Sequence, residues 1–371
     1  MNATGDHAAT EPADAAAVEA ARTSRNEHLR QIIAWHFDEA TGTPFWIDWA
    51  RKEGIDVQAR VQCFEDLTCL PRFHDEWLRS TDQAKWIPIA YRDRPFKVFE
   101  TGGTTGMPKQ RLSWEDHLVD YTDFSSTLDH LHPGAFPAGA AWLMLGPTGP
   151  RRLRLAVEHL ANLRGGPCYF VDLDPRWVKR AIRDQQGPVA RQYMDHVIDQ
   201  AATILRHRDI KCLFATPRLL EALSERLSVP GAGVRGVFCG GTSMTPQVIR
   251  FLAEEVLEHR ATLVPTYGNT LMGLAIAQPI STKRDFALTY HAPQPRAVLR
   301  VTDPDDPDRE VAYGDWGRVE LTTLTKEFFM PRFLERDEAM RREPCAAFPW
   351  DGVGNVRPFR SEEQQTVEGV Y

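Results

Sequence analysis

The chain alternates between two hydrophobic patterns over most of its length. Apolar runs of strand length end at small or turn-forming residues at 140–146, 167–174, 212–217 and 236–241. Between them, RLRLAVEHLANL (152–163) places apolar residues at helical spacing, and SWEDHLVDYTDF (113–124) predicts a helix opened by a capping box of Ser113 and Asp116. This alternation predicts an α/β fold with mostly parallel sheets flanked by helices.

The two ends of the chain have a different pattern. Residues 1–24 are small and polar, whereas NEHLRQIIAWHF (26–37) predicts an amphipathic helix. After about residue 290, RAVLRVTD (296–303) and GRVELTTL (317–324), with Pro- and Asp-rich turns between them, predict antiparallel strands. We therefore expect three parts: a disordered tail (1–24), α/β subdomains (25–290) and a smaller β-rich subdomain (291–371).

Composition excludes several classes of protein. A chain of 371 residues with 42% hydrophobic content can bury a large core. Its net charge of −7 gives no general attraction to nucleic acid or to an anionic membrane. The six cysteines form no CxxC pair, which argues against a zinc site or a disulfide framework. No signal peptide and no apolar run of about 18 residues is visible, so we expect a cytoplasmic protein.

The segment FETGGTTGMPKQRL (99–112) is the strongest candidate for chemistry. Its glycines allow the backbone to approach a ligand closely, and its hydroxyls and one lysine can donate to an anion. The residues concerned are Gly102, Gly103, Gly106, Thr101, Thr104, Thr105 and Lys109. The loop is not a Walker A motif, because Met107 and Pro108 separate the last glycine from the lysine. On composition alone, an ordinary turn remains the alternative.

The order of residues in this loop is more specific than its composition. TGGTTGMPK (101–109) resembles the phosphate loop of the adenylate-forming enzymes, which include acyl-CoA synthetases, peptide-synthetase adenylation domains and luciferases. FCGGTSMTPQV (238–248) resembles their adenine-binding loop, and VPTYGNT (264–270) their YGxT element. GDWGRVELTTLTKEFFMPRF (314–333) resembles the phenylacetate-CoA ligase branch. The chain is similar to the phenazine-biosynthesis and acyl-protein synthetase members.

The resemblance implies a fold, a reaction and a role for each matching residue. The fold would be the large N-terminal domain of these enzymes, and the reaction would convert a carboxylate and ATP into acyl-AMP and pyrophosphate by positioning and charge neutralisation. The implied catalytic residues are Thr101, Thr104, Thr105, Lys109 and Thr270. The implied nucleotide-binding residues are Gly102, Gly103, Gly106, Gly240, Gly241, Thr242, Tyr267, Gly268, Asn269 and Asp337.

The sequence departs from the family pattern in three places. Leu271 stands where the family has a glutamate that helps to hold Mg²⁺, so ATP and Mg²⁺ are expected without an identified protein ligand for the metal. The ribose-binding region is shortened, and Asp337 is its best candidate, with a surface ion-paired aspartate as the alternative. Few residues follow WDGVGNVRPF (350–359), so we expect the mobile C-terminal domain with its catalytic lysine to be absent.

A candidate acid-binding wall follows the strand at 140–146. GPTGP (146–150) lies where related enzymes begin their acyl pocket, with a simple turn as the alternative. Arg151, Arg152 and Arg154 come next. One of them could pair with an acidic substrate, but a solvated helix start is favoured.

These observations predict an enzyme, a ligase-like carboxylate-adenylating protein of natural-product biosynthesis. The acid would be aromatic by resemblance to the branch, and the acyl-AMP would pass to a partner reductase or acyl acceptor protein. Leu271 favours a non-catalytic nucleotide-binding or acyl-adenylate-binding protein as one alternative. Acyl-protein synthesis through Cys345 is the other, although its neighbours REPCAAFPW supply no base. The identity of the acid and the presence of a homodimer are left open.

Overall fold

The structure, a computed structural model, describes residues 11–101, 108–149, 152–242 and 244–359. The chain begins with a layer of helices and 3₁₀ turns. The helices are α1 (Ala15–His36), α2 (Pro44–Glu53), α3 (Val57–Arg60) and α4 (Trp77–Ser80). The 3₁₀ turns are Phe64–Cys69, Gln83–Trp86 and Ile89–Tyr91. A hairpin follows, formed by β1 (Lys97–Glu100) and β2 (Gln110–Ser113).

An alternating region follows the hairpin. Its helices are α5 (Asp116–Leu131), α6 (Arg152–Leu163), α7 (Pro175–Arg183), α8 (Gly187–His207), α9 (Pro217–Ser224) and α10 (Pro246–Phe251), which runs into a π-helical turn (Leu252–Val256). Its strands are β3 (Ala141–Leu145), β4 (Cys168–Val171), β5 (Ile210–Ala215), β6 (Gly236–Cys239) and β7 (Thr262–Asn269). The remaining strands are β8 (Gly273–Ala277), β9 (Thr289–His291), β10 (Ala297–Thr302), β11 (Trp316–Leu324), β12 (Phe329–Arg342) and β13 (Gly352–Pro358), and a 3₁₀ turn (Thr282–Arg284) lies between β8 and β9.

One sheet of eleven strands organises the molecule, in the order β10-β11-β12-β13-β9-β8-β7-β6-β5-β3-β4. The strands from β4 to β7 pair in parallel, and those from β7 to β10 pair antiparallel. The predicted α/β fold with parallel strands flanked by helices is therefore confirmed. What the sequence did not indicate is that the parallel and antiparallel parts share one continuous sheet.

Strand β7 joins the two parts of the sheet. Its first half pairs in parallel with β6, from Thr262 to Pro265. Its second half, Thr266 to Asn269, pairs antiparallel with β8. The hydrogen-bonding pattern thus reverses within one strand, and the residues just after the reversal are those of the YGxT element. An open α/β sheet offers its ligand crevice at such strand ends.

The parallel strands are buried on both faces, which explains their uninterrupted apolar runs. In β3, Trp142 and Met144 pack in one hydrophobic cluster together with Val157 of α6. Leu143 and Leu145 face the other cluster. Because neighbouring side chains of a strand point to opposite faces, the run is apolar at every position rather than at alternate ones.

The N-terminal expectation needs correction. Helix α1 begins at Ala15, inside the segment expected to be a disordered tail. Alanines dominate its first turns, and alanine has the highest intrinsic helix propensity. The helix then continues into the predicted amphipathic segment, where Leu29, Ile32 and Ile33 are buried. Residues 15–24 are thus helical because the two segments form one helix; residues 1–10 lie outside the described part of the chain.

The start of α5 also differs from its prediction. Ser113 lies in β2 and does not cap the helix, which begins at Asp116. Instead, the carboxylate of Glu327, which lies between β11 and β12, accepts hydrogen bonds from the backbone amides of Trp114, Glu115 and Asp116. Ser113 donates its hydroxyl to the same carboxylate at 2.9 Å. A helix N-terminus favours a negative charge, which a remote glutamate supplies here.

Within the described ranges, no helix combines the length and the apolar character needed to cross a membrane. All six cysteines are described, and each is a thiol outside any disulfide.

Candidate active site

Two adjoining cavities lie where β6 and β7 end. The first has a volume of about 260 Å³ and is lined by residues of the β1–β2 hairpin, the β6 end, the β7 end and α6. The second, of about 160 Å³, lies between the β6–α10 connection, β7 and β12. Gly241, Thr266 and Gly268 line both cavities. The two cavities therefore form one continuous site at the strand where the sheet changes direction.

Most of the predicted site residues that the structure describes line these cavities. The first contains Thr101, Gly240, Gly241, Gly268, Asn269 and Thr270. The second contains Gly241, Thr242, Tyr267, Gly268 and Asp337. These residues are up to 236 positions apart in the sequence (101 to 337), and the strand ends bring them together. Gly102, Gly103, Thr104, Thr105 and Gly106 lie outside the described residues.

In the smaller cavity, Tyr267 and Asp337 connect two strands. The Tyr267 hydroxyl donates to Asp337 Oδ2 at 2.8 Å, from β7 to β12. Burial raises the pKa of Tyr267 well above its usual range, and the charge of Asp337 raises it further. The phenol is therefore a proton donor at neutral pH, and it orients the carboxylate at the cavity wall.

Glu335 is a second carboxylate at this site, and sequence reasoning missed it. Asn269 donates its amide to Glu335, while its amide oxygen accepts from the backbone N–H groups of Leu271 and Met272, both at 2.9 Å. Burial and, to a smaller extent, the charge of Asp337 raise the pKa of Glu335 to about 7. The signal available in the sequence was the spacing of two from Asp337, which puts both carboxylates on one face of a strand.

Lys109 lies at the base of the loop but lines neither cavity. Its ammonium group is 2.7 Å from Asp75 Oδ2 and 5.5 Å from the ring centroid of Phe333. Burial would raise the pKa of Asp75, but the hydrogen bond and the charge of Lys109 lower it below its ordinary value. The backbone of Lys109 closes the loop, since Thr101 N donates to Lys109 O at 3.0 Å and Lys109 N donates to the Thr101 hydroxyl at 3.2 Å.

A buried network of charges lies beneath the larger cavity. Arg111 Nη2 is 2.6 Å from Asp116 Oδ2. Arg296 Nη2 is 3.2 Å from Asp116 Oδ1 and 3.0 Å from Asp120 Oδ1. Arg152 pairs with Asp120 from the opposite side. Because buried charges need partners, this network fixes the start of α6 against α5.

Arg152 therefore differs from the expectation of a solvated helix start. It is 5% exposed and lines the larger cavity. Burial and, to a smaller extent, the charge of Arg111 lower its pKa to about 9. The expectation failed because the acidic partners lie on α5, more than thirty residues earlier in the chain, where local sequence gives no indication of them.

The described residues do not fit a metal ion held by the protein. Leu271 is 2% exposed and packs in the hydrophobic core. Its carbonyl accepts from Arg111 Nη1 at 2.6 Å and from the Thr323 hydroxyl at 3.1 Å. The described part of the chain contains no group of three or more His, Cys, Asp or Glu side chains that could hold a metal.

Cys345 lies apart from the two cavities of the site. Its neighbours in sequence supply no base, but the fold places His291 Nε2 4.0 Å from the sulfur, and Gln278 donates to the sulfur at 3.3 Å. Burial raises the pKa of the thiol and lowers the pKa of His291 to about 4. The pair is therefore neutral at neutral pH, whereas a reactive cysteine is a thiolate in an electropositive environment.

No known protein-family model matches the chain, and no curated protein matches it. Solved structures, in contrast, do match the chain. 2-Hydroxyisobutyryl-CoA ligase in complex with 2-HIB-AMP and CoA, in its thioesterification state, has 18% sequence identity and a TM-score of 0.67, over 92% of this chain and 68% of that chain. The same ligase with 2-HIB-AMP in the postadenylation state has 17% identity and a TM-score of 0.67, over the same shares of the two chains. These similarities show the fold.

Proposed function

We propose that this chain is an adenylate-forming enzyme of the phenylacetate-CoA ligase branch, which activates a carboxylic acid with ATP and releases pyrophosphate. The observation that carries the proposal is the gathering of three distant segments around one site. Thr101, Gly240–Thr242 and Tyr267–Thr270 line the two adjoining cavities, and they are the segments whose sequences resemble the superfamily. The solved ligase that shares the fold is complexed with an acyl-adenylate.

The smaller cavity suits the adenosine of ATP. Asp337 offers a carboxylate acceptor for ribose hydroxyl groups, and Tyr267 orients that carboxylate through a hydrogen bond of 2.8 Å. Gly241 has a φ of +91°, a conformation that L side chains rarely adopt. Gly241 lines both cavities, so the nucleotide would pass along its backbone. A nucleotide would thus place its base and ribose in the smaller cavity and its phosphates towards the larger one.

The phosphate end of the site holds the groups that would position the reaction. Thr101 and Thr270 line the larger cavity from opposite segments. Lys109 would have to exchange Asp75 for a phosphate oxygen, and the 2.7 Å ion pair gives it a defined position beforehand. Positioned donors of this kind stabilise charge that spreads over phosphate oxygens as a carboxylate attacks the α-phosphorus.

A magnesium ion, if it takes part, would arrive on the phosphates of ATP. Leu271 offers no oxygen ligand, and the described residues contain no metal-binding cluster. A hard cation needs oxygen ligands, which polyphosphate and water can supply without the protein. The roles proposed for this chain are therefore limited to binding and orienting the two substrates.

The larger cavity suits the acid. Tyr121, Phe214 and Leu274 give it apolar walls next to the phosphate end. Aromatic side chains at such walls favour an aromatic acid, since rings pack edge-to-face or offset against one another. We propose that the acyl-AMP passes to a partner reductase or acyl acceptor protein, as the sequence resemblance implies.

A non-catalytic nucleotide-binding protein is the second candidate function. The buried Leu271, in place of a carboxylate that helps to hold the metal, favours it. Acyl transfer through Cys345 has weaker support, because the nearby His291 is buried and the thiol is protonated. Only the non-catalytic function predicts that no acid stimulates nucleotide turnover at the β7 site. Acyl transfer through Cys345 predicts a covalent acyl adduct that intact mass detects after incubation with ATP and a fatty acid and that Cys345→Ala abolishes.

The test is ATP–pyrophosphate exchange with a panel of aromatic and aliphatic carboxylic acids. Adenylation predicts exchange that depends on one class of acid, and Lys109→Ala should reduce it strongly. Lys97→Ala is the matched control, because Lys97 is an exposed lysine on the same hairpin. AMP binding without exchange for any acid would favour the non-catalytic function instead.

A further inference from the structure

We propose that Arg152 binds a second carboxylate of the acid substrate, so that the enzyme selects a dicarboxylic acid. One carboxylate would react with ATP, and the other would be received by the guanidinium. The inference rests on the proposed function and adds the substrate class to it. It is carried by the unsatisfied hydrogen-bonding capacity of Arg152 and by its place in the larger cavity.

The guanidinium of Arg152 has donors without acceptors. Nη2 is occupied by the carboxylate of Asp120 and by Asp116 O, which is 3.2 Å away. Nε and Nη1 are buried and have no hydrogen-bond partner among the described residues. Buried polar groups in proteins are nearly always hydrogen-bonded, and exceptions call for a ligand or another explanation. Free arginine donors suit a carboxylate or a phosphate, and the apolar walls beside Arg152 favour the carboxylate of the acid.

Arg152 forms part of the wall of the larger cavity, with its free donors buried behind that wall. It lines the larger cavity together with Thr270 at the phosphate end and with Tyr121 and Phe214 at the apolar walls. An acid lying along these walls would therefore have the reacting group at one side and Arg152 at another. A substrate without a second polar group would leave the two free donors of Arg152 without an acceptor, which is unfavourable.

Gly273 keeps the guanidinium in place. Its φ is +108°, and a Cβ built there would lie 3.2 Å from Arg152 Nη2 and closer still to the Asp120 carboxylate. The backbone after β7 therefore packs directly on the Arg152–Asp120 pair. A group fixed in this way is pre-organised for its ligand, because little side-chain entropy is lost on binding.

The charges around Arg152 balance one another. Three guanidinium groups (Arg111, Arg152 and Arg296) pair with two carboxylates, Asp116 and Asp120. The charge of a third carboxylate, Glu327, also acts on Arg111 and Arg152. A substrate carboxylate would therefore be bound by the free donors of Arg152 and not by an excess of positive charge.

The test compares acids that differ only by a second carboxylate. Benzoate and the three benzenedicarboxylates (1,2-, 1,3- and 1,4-) would be assayed as substrates by ATP–pyrophosphate exchange. The wild-type protein should prefer one of the dicarboxylates to benzoate by about 100-fold in kcat/KM, since a site built for a polar group discriminates strongly against an analogue lacking it. Arg152→Met should reduce that ratio of kcat/KM values to a few-fold, whatever its effect on the absolute rates.

Arg154→Met is the matched control. Arg154 lies on the same helix, and its guanidinium pairs at the surface with Glu158 at 3.5 Å. This variant should keep the wild-type preference. If Arg152 instead binds the reacting carboxylate, Arg152→Met will lose activity equally on benzoate and on the dicarboxylate, and the inference is then wrong. If Arg152→Met does not fold, the same ratio of kcat/KM values is measured for Arg152→Lys, which keeps the charge but loses the guanidinium donors. A ratio reduced to a few-fold supports the inference, and an unchanged ratio overturns it.

The failure of this inference can be told apart from the failure of the proposed function. Exchange with benzoate but no preference for any dicarboxylate would overturn the inference and leave adenylation standing. If no acid supports exchange, the proposed function fails, and the inference is decided by calorimetric titration of the AMP-loaded protein with the three dicarboxylates. Binding to the wild-type protein that Arg152→Met weakens by at least tenfold supports it, and its absence, or equal binding to both proteins, overturns it.

Discussion

At the scale of single residues, Tyr267 and Asp337 form a pair in the wall of the smaller cavity, the proposed nucleotide end of the site. The hydroxyl donates to the carboxylate at 2.8 Å across two strands. The two residues are 70 positions apart, and the sequence resemblance assigned them to the same nucleotide. Their contact is consistent with that assignment. Asp337 is the residue to test first, because its carboxylate is the proposed acceptor for the ribose hydroxyl groups.

We expect Asp337→Ala to weaken AMP binding by about 10- to 100-fold, the equivalent of one or two lost hydrogen bonds. The melting temperature of the apo protein should change little, because the carboxylate lies at a cavity wall. Calorimetric titration with AMP measures the effect. Tyr267→Phe removes only the orienting hydroxyl and should have a smaller effect. Unchanged AMP affinity in Asp337→Ala would remove Asp337 from the nucleotide site.

Glu335 makes the stability of the protein depend on pH. Its pKa of about 7 in the folded protein lies above its ordinary value of 4.5, because of burial and the charge of Asp337, with Lys109 and Asn269 acting in the opposite direction. The folded state therefore holds this proton more tightly than the unfolded state does. The stabilisation is complete below pH 4.5 and is lost as the pH rises to 7, by up to about 3 kcal/mol.

Glu335→Gln should remove this dependence, because the amide cannot ionise. The wild-type free energy of unfolding should fall relative to that of Glu335→Gln between pH 4.5 and 7, as measured by urea unfolding at several pH values. Glu343→Gln, at an exposed position, should follow the wild-type curve. Parallel curves for the wild type and Glu335→Gln would show that Glu335 ionises normally.

At the scale of secondary-structure elements, Glu327 links the start of α5 to the β11–β12 connection. Four donors converge on its carboxylate, three of them backbone amides that would otherwise have no partner in the helix. The sequence suggested Ser113 as the cap, because capping rules consider only residues next to the helix. A distant carboxylate can replace a local cap only through the fold, so no local rule could have identified Glu327.

We expect Glu327→Ala to lower the free energy of unfolding by about 2–4 kcal/mol, since it leaves several buried donors unsatisfied. Urea unfolding measures this loss. Glu115→Ala is the control, because that side chain is largely exposed and pairs with Arg94 at the surface, and it should cost less than about 1 kcal/mol. Equal losses in the two variants would mean that the capping carboxylate contributes no more than a surface charge.

The β1–β2 hairpin carries the loop whose sequence first pointed to phosphate. Lys109→Ala should weaken ATP binding by about tenfold or more while leaving AMP affinity nearly unchanged, because the proposed partners are the β and γ phosphates. Apo stability should change by less than about 1 kcal/mol, since the Lys109–Asp75 pair is partly exposed. Equal losses of ATP and AMP affinity would point to a general effect on the site.

At the scale of the whole molecule, the sequence predicted the strand–helix alternation and the antiparallel region near the C-terminus. It did not predict that β7 would join them, because the pairing of β7 with β6 and with β8 depends on contacts between segments far apart in the chain. Most of the described residues that the resemblance assigned to the site line the two cavities, and their roles stay a prediction. Glu335 and Asp75 were missed, and Arg152 was assigned to a solvated helix start, because their surroundings come from spatial neighbours rather than from sequence neighbours.

The predicted domain boundaries near residues 24 and 290 both fall inside secondary-structure elements. The first falls inside α1. The second falls within β9, which pairs with β8 on one side and β13 on the other. The division of the chain into α/β and β-rich subdomains stays a prediction, which limited proteolysis could test by showing whether cleavage near residue 290 releases stable fragments.

Transfer of oxygen from the acid to AMP tests the central claim most directly. The acid that supports the strongest exchange would be labelled with ¹⁸O in its carboxylate and incubated with protein, ATP and hydroxylamine. Adenylation predicts pyrophosphate, an acyl hydroxamate and AMP carrying one ¹⁸O, because the carboxylate oxygen bonds to the α-phosphorus and stays there when hydroxylamine attacks the acyl carbon. Formation of ADP with labelled phosphate, or of AMP without label, would contradict it.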